Sequence, residues 1–469
     1  MANPLTSLFL DPAAADRERA PRKYQFTDDW RAWLVPVALG LALLVLSLLS
    51  LLGGDAARVR FFYAYLVGWV FCVSIAVGAL FFVMIQHVVK ARWVTVLRRI
   101  PEHLVAGFPL LALLGIPVLF GMHDLYHWTH ADLYERGGSH FDPILFGKSP
   151  YYFWPANPGT VPVFWLLRVV AYFLLWSYLG RRLFALSVRN DAEPSAENTL
   201  KLRRVSAWGI PIAAVATSFA SYDLVMSLDP HWFSTIFGVY FFAGGWLAML
   251  SLVTFIGLAL RRRGLLDVEL TREHFHDMGK LMFGFVVFWA YIAFSQYMLI
   301  WYGNLPEETR WFMDRLSKGW TAVTAGLLVF HFILPFLLLL PRFVKRTYPL
   351  LGFMAGWLLV MHWYDLFWLS VPTIGAEEAH TVAEHAGRSP EVAETAFRVG
   401  ESALPGATQN VPFAAVSEAA QAHFAWVDFS AWLGLFALFM GLTLWRMGRH
   451  ALTPYNDPYF ADSVRFENV

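Results

Sequence analysis

Two aspartates stand inside long apolar stretches of this chain, in the matching tripeptides Tyr222-Asp223-Leu224 and Tyr364-Asp365-Leu366. A carboxyl group in hydrocarbon is costly, and by default it faces the interior of a helix bundle and marks a pathway. Acids, phenols and imidazoles in such places can hand a proton from one to the next. Further groups of this kind sort into two clusters by their position along the apolar stretches. One holds His123, Asp124, Tyr222, Asp223, Asp229, Gln296, Tyr297, His362, Tyr364, Asp365 and Asp428. The other holds Gln86, His87, His276 and Lys280, and His331 falls near the middle of its stretch. Two polar clusters with a gap between them match a pair of aqueous half-channels, or a site near one surface with a relay toward the other.

Several of these groups also have a plainer reading. Asp229, in Ser227-Leu228-Asp229-Pro230, suits a helix cap. His87 and Lys280 are close enough to an interface to snorkel. His331 suits a histidine bonded to a neighbouring carbonyl. Asp223 and Asp365 could pair with Arg168 or with tyrosine hydroxyls and serve only to anchor helices. The run His123-Asp124-Leu125-Tyr126-His127-Trp128-Thr129-His130 gathers three histidines and a carboxylate. The i, i+4 spacing of His123 and His127 alone is a weak metal signal, so no metal site is assigned.

The elements that position these groups follow from the composition. Of 469 residues, 57% are hydrophobic and 15% charged, against about 25% charged in a soluble domain. A hydrocarbon core about 30 Å thick needs about 20 apolar residues per helix, and such blocks recur near 31–52, 61–88, 104–124, 161–187, 206–229, 233–260, 276–303, 319–341, 347–371 and 425–447. The blocks are apolar on all sides, whereas barrel strands would alternate. The expected fold is all-α, a polytopic integral membrane protein of ten spans. Its domains are a polar N-terminal tail (1–30), the membrane domain (31–447) and a C-terminal tail (448–469). The N-terminal tail lacks the apolar core and cleavage site of a signal peptide and is expected to stay on the mature chain.

Asp223 and Asp365 each lie six residues before the end of a span, about 9 Å deep at 1.5 Å per residue. Spans four apart run in the same direction, so spans 2–5 and 6–9 are expected to form parallel four-helix bundles, with spans 1 and 10 peripheral. Lys and Arg fall unevenly: 24 lie in or beside the segments on the side of the termini, and nine in the opposite connections. By the positive-inside rule both termini are cytoplasmic. The external side then carries the long connections 125–160 and 372–424, each either a solvated loop or a docking surface. The 21 Trp, 18 Tyr and 41 Phe mostly suit lipid-facing and interfacial positions, as in Trp301-Tyr302.

A net charge of +1 gives no reason to expect nucleic acid. The single cysteine, Cys72, excludes an internal disulfide, a CxxCH haem attachment and a cysteine-ligated iron–sulfur cluster within the chain. Redox centres of those kinds would belong to partner chains.

Several runs carry a family resemblance: Gly121-Met122-His123-Asp124-Leu125-Tyr126-His127-Trp128, Met226-Ser227-Leu228-Asp229-Pro230-His231-Trp232, Ile236-Phe237-Gly238-Val239-Tyr240-Phe241-Phe242, His276-Asp277-Met278-Gly279-Lys280-Leu281-Met282-Phe283-Gly284-Phe285 and Phe288-Trp289-Ala290-Tyr291-Ile292-Ala293-Phe294-Ser295-Gln296-Tyr297. With these in order, the chain resembles the NrfD-like (polysulfide-reductase-C-like) membrane subunits of bacterial alternative complex III, the second of the two in particular. The resemblance covers nearly the whole chain apart from the tails and 372–424. It implies a multi-subunit quinol:electron-acceptor oxidoreductase of the respiratory chain, in the bacterial inner membrane. The implied partners are a homologous NrfD-like subunit, multihaem and monohaem cytochrome c subunits and an iron–sulfur/molybdopterin-like subunit. It also implies a quinone or quinol, menaquinone among the candidates, and a polar path for protons. His123, Asp124 and Asp223 could play the part of the sister subunit's His/Asp quinol site. Three other functions fit the residues: a b-type cytochrome with haem between His123 and His362, a secondary transporter built on the repeat, and a structural anchor.

Overall fold

A computed structural model describes residues 21–26, 31–138, 140–317, 319–374 and 422–467. Among them ten helices are long and apolar enough to cross a membrane, and no strand occurs. We label them α1 (Leu34–Gly53), α2 (Asp55–Val88), α3 (Thr95–Phe120), α4 (Val163–Ala192), α5 (Ala196–Leu228), α6 (Phe237–Arg262), α7 (Arg272–Gly303), α8 (Trp320–Leu339), α9 (Tyr348–Thr373) and α10 (Trp426–Met447). The protein is an all-α, multi-pass membrane protein. An even number of spans brings both tails to one side, where the Leu452 N–H donates to the Tyr24 carbonyl at 2.9 Å. That side is called the terminal side below, and the opposite one the far side. Most of the 372–424 connection, with His380 and His385, lies outside the described residues.

Helices α2 to α5 pack together, as do α6 to α9, and α2 and α6 form the seam between the two groups. Their backbones touch because neither helix has a side chain at the crossing. A Cβ added at Gly78 would lie 2.7 Å from the Gly245 carbonyl oxygen, and one at Gly245 the same distance from that of Ser74. Small residues at a membrane helix crossing permit this approach. α10 packs on α2, and α1 packs on α10, leaving a leucine-rich face of α1 outward.

The spans differ from the hydropathy reading mainly at their charged ends. α2 starts at Asp55 rather than 61, α3 at Thr95 rather than 104 and α5 at Ala196 rather than 206, while α4 runs on to Ala192. Charged turns stay helical there because their charges pair with one another. Arg98 reaches Glu102 at 3.1 Å and Asp457 at 2.5 Å, Arg99 reaches Glu102 at 3.1 Å and Asp191 at 2.5 Å, and all five are buried. At the far side α3 stops at Phe120, so His123 and Asp124 lie in a separate short turn, Met122–Leu125. Asp229 falls just beyond α5.

α8 contains a π-helical segment, Leu328–Ile333, with His331 inside it. Pro335 follows and has no N–H to offer the His331 carbonyl four residues earlier, which disfavours a regular α-helical turn at this point.

Candidate functional site

A buried polar group close to the contact of the two bundles gathers around Asp365, from five helices. Asp365 and His362 come from α9, Tyr240 from α6, Trp289 from α7, His331 from α8 and Ser74 from α2; all six are buried. The Asp365 carboxyl accepts a hydrogen bond from the Tyr240 hydroxyl at one oxygen and from Trp289 Nε1 at the other, 3.1 Å away. Both donors are neutral, and among the described residues no cation bonds to this carboxyl. His362 Nε2 lies 2.8 Å from Ser74 Oγ, across the seam between the two bundles. Among the described residues its Nδ1 has no hydrogen-bond partner, and neither ring nitrogen of His331 has one. The His331 ring sits over Trp289 with centroids 4.0 Å apart.

Asp223 matches Asp365 in sequence but not in surroundings. Arg168 of α4 grips it with two bonds, 2.9 and 2.7 Å, and the Tyr172 hydroxyl adds a third at 2.8 Å. The guanidinium also donates to the Tyr151 carbonyl at 2.6 Å and lies over that tyrosine's ring. This carboxylate therefore has its counter-charge built in. A shallow apolar groove between α4 and α5, lined by Tyr172, Pro211, Ile212, Val215, Ala216 and Phe219, runs beside the pair and opens to the outside of the bundle.

The other far-side residues are dispersed. The His123 ring lies tilted against that of His130 with centroids 4.0 Å apart, and its Nδ1 lies 3.3 Å from Thr129 Oγ1; burial first, then the neighbouring His130, holds its imidazole below the ordinary value. Asp124 pairs with Arg58 at 2.9 Å. Asp428 is buried with Arg60 at 2.6 Å and accepts from the Ala425 N–H, tying α10 to α2. Asp229 accepts from the backbone N–H groups of His231 and Trp232, so it shapes the turn between α5 and α6 rather than capping a helix. Tyr222 donates to the Thr235 carbonyl at 2.7 Å and Tyr364 to that of Val323 at 2.9 Å. Gln296 is buried and accepts from Ser234, while Tyr297 is partly exposed against Phe312. On the terminal side Gln86, His87 and His276 are buried, and His87 Nε2 and His276 Nδ1 have no partner. Lys280 is half-exposed and pairs with Asp277 at 2.5 Å.

The structure thus joins His362, Asp365 and His331 into one cluster. It leaves His123 and Asp124 at the far surface and the four terminal-side residues apart. A haem ligated by His123 and His362 does not suit these positions, because one ring lies at the far surface against His130 and the other is buried and bonded through Nε2 to Ser74. Among the described residues no group of three or more metal-ligating side chains could hold an ion.

Sequence reasoning missed Ser74, Tyr240 and Trp289, which carry no charge in an apolar run, and it left Arg98, Arg99 and Glu102 in a connection. The spacing of Arg98 and Glu102 at i, i+4 and of Arg99 and Glu102 at i, i+3 was the available signal for a helix there. Arg315 was also missed. It donates to the carbonyls of Trp311, Trp368 and Leu369 and lies 3.3 Å over the Trp311 ring. Burial pushes its guanidinium down to about 9.

Fold and site together define a polytopic helical membrane protein with a buried acid–imidazole cluster beside the contact of its two bundles. No family model and no curated protein matches this chain.

Proposed function

We propose that this chain is a proton-conducting membrane subunit of a respiratory quinol:electron-acceptor oxidoreductase, the complex implied by its sequence resemblance. The observation that carries the reading is the contrast between the two aspartates. Asp223 has a guanidinium of its own, whereas Asp365 is held only by neutral donors. Ionising Asp365 without a nearby proton acceptor would leave a net charge in the bundle, and the bare nitrogens of His362 and His331 are the acceptors at hand. A carboxyl and two imidazoles in this arrangement hold and pass a proton, and a merely structural carboxylate would need a cation or more donors. In this reading the positive-inside rule has the termini in the cytoplasm and the resemblance implies the bacterial inner membrane, so His87 and His276 would face the uptake side and the Asp365 cluster the external half.

Electrons in this reading pass through cytochrome c and iron–sulfur partner subunits. The groove between α4 and α5 is the candidate seat for the tail of a quinone or quinol, which when bound supplies electrons and protons together. Tyr172, whose hydroxyl bonds Asp223, is the polar group in its wall. The test is the assembled complex in liposomes with quinol as donor. Asp365→Asn keeps the shape of the side chain but cannot carry the proton. It should assemble normally and lower proton release per electron at least tenfold; unchanged release would overturn the reading.

A further inference from the structure

We infer that Ser74, on the opposite bundle, sets the tautomer of His362 so that His362 Nδ1 is the acceptor for the Asp365 proton, across a space kept open by Gly244. Ser74 has one hydroxyl hydrogen, and its Oγ lies 2.9 Å from the Phe71 carbonyl on the preceding turn, an acceptor only. With the hydrogen committed to that bond, the same oxygen accepts toward His362, and Nε2 is the nitrogen assigned the proton. A neutral imidazole with a proton on Nε2 has a bare lone pair on Nδ1. Nδ1 is the nitrogen left without a partner in the buried site.

That lone pair borders a space shared with Asp365. A Cβ added at Gly244 would lie 3.0 Å from His362 Nδ1 and 3.5 Å from Asp365 Oδ2, so the two atoms are no farther apart than the sum of those distances. The side chain that would fill this space is the one glycine lacks. The two atoms are not hydrogen-bonded as they stand; once a side-chain rotation brings a protonated Oδ2 within hydrogen-bond reach of Nδ1, its O–H bond breaks and an N–H bond forms there. The product is a carboxylate still held by Tyr240 and Trp289, next to an imidazolium still held by Ser74. Two neutral groups become an ion pair, and the net charge of the cluster does not change.

This inference rests on the proton-conducting reading, and the two can fail separately. With histidine labelled in nitrogen-15 in the intact complex, and His362→Gln used to assign the signal, His362 should show a protonated Nε2 and a bare Nδ1. The reverse tautomer overturns the inference whatever the activity. Ser74→Ala should convert the signal to a mixture of tautomers and lower proton release about fivefold at unchanged complex yield. Gly244→Ala puts a methyl group in the space and should lower release at least tenfold per assembled complex. If Asp365→Asn impairs release while Ser74→Ala and Gly244→Ala do not, the coupling to His362 is wrong and the proton-conducting reading stands. If Asp365→Asn has no effect, the reading itself fails and the coupling with it.

Discussion

At the scale of single residues, the two aspartates of the repeated tripeptide separate by their neighbours. Asp223 is salt-bridged and buried, and removing one partner of such a pair costs about 3 kcal/mol or more, because the remaining charge stays buried. Asp223→Asn is therefore expected to lower complex yield and melting temperature while leaving turnover per assembled complex unchanged; normal yield with lowered turnover would show that Asp223 carries protons after all. Asp365→Asn should give the opposite result. The sequence marked both aspartates as anomalous and offered Arg168 or tyrosine hydroxyls as their partners. It did not say which aspartate gets the arginine, because that depends on α4 and α5 lying side by side. Arg315 makes the same point for a cation. Arg315→Met keeps most of the apolar volume but strips donors from two carbonyls at the end of α9, those of Trp368 and Leu369, and from that of Trp311, a loss expected at about 2 kcal/mol or more. Thermal unfolding of the purified protein checks it, and an unchanged melting temperature would show that those carbonyls find other partners.

At the scale of elements, local chemistry explains most of the departures from regular helix. The short helix Pro143–Phe153 in the 125–160 connection opens on Asp142, which accepts from the Ile144 and Leu145 N–H groups at 2.8 and 2.9 Å and pairs with His231 at 2.6 Å. Burial alone would raise this carboxyl, but the His231 bond and the two N–H donors outweigh it and hold Asp142 below its ordinary value of 3.8. A depressed carboxyl contributes stability above its unfolded value and loses it as pH falls through the folded one. Asp142→Ala should thus cost about 1 kcal/mol at neutral pH, with the gap to wild type narrowing below about pH 4. A gap that does not change on acidification would rule out the charged pair. Apolar run length revealed every span, since length and hydropathy suffice for that. It misplaced the charged ends of α2, α3 and α5, because a window that counts charges cannot see that Arg60 pairs with Asp428, Arg98 and Arg99 with Glu102, Asp191 and Asp457, and Lys201 with Glu197. The π segment of α8 was not anticipated, although Pro335 was in view.

At the scale of the whole molecule, the ten spans and the basic bias together predict sidedness: a reporter fused after Val469 should be cytoplasmic and one inserted near Thr381, outside the described residues, external. Labelling of both on one side would refute the ten-span topology. The chain purified alone is expected to show no haem or iron–sulfur absorbance, since its one cysteine supplies neither a CxxCH attachment nor a cluster; bands at stoichiometric level would refute that. By itself the sequence determined the solvent and the class of fold, because twenty apolar residues in a row have few other places to go. It also determined that aspartates so far from water must matter. Only the tertiary structure decided which groups meet. Ser74, Tyr240, Trp289, His331 and His362 come from five helices, and their convergence on Asp365 depends on how closely α2 and α6 approach at Gly78 and Gly245. That distance is set by packing between segments more than 150 residues apart, which no local pattern encodes.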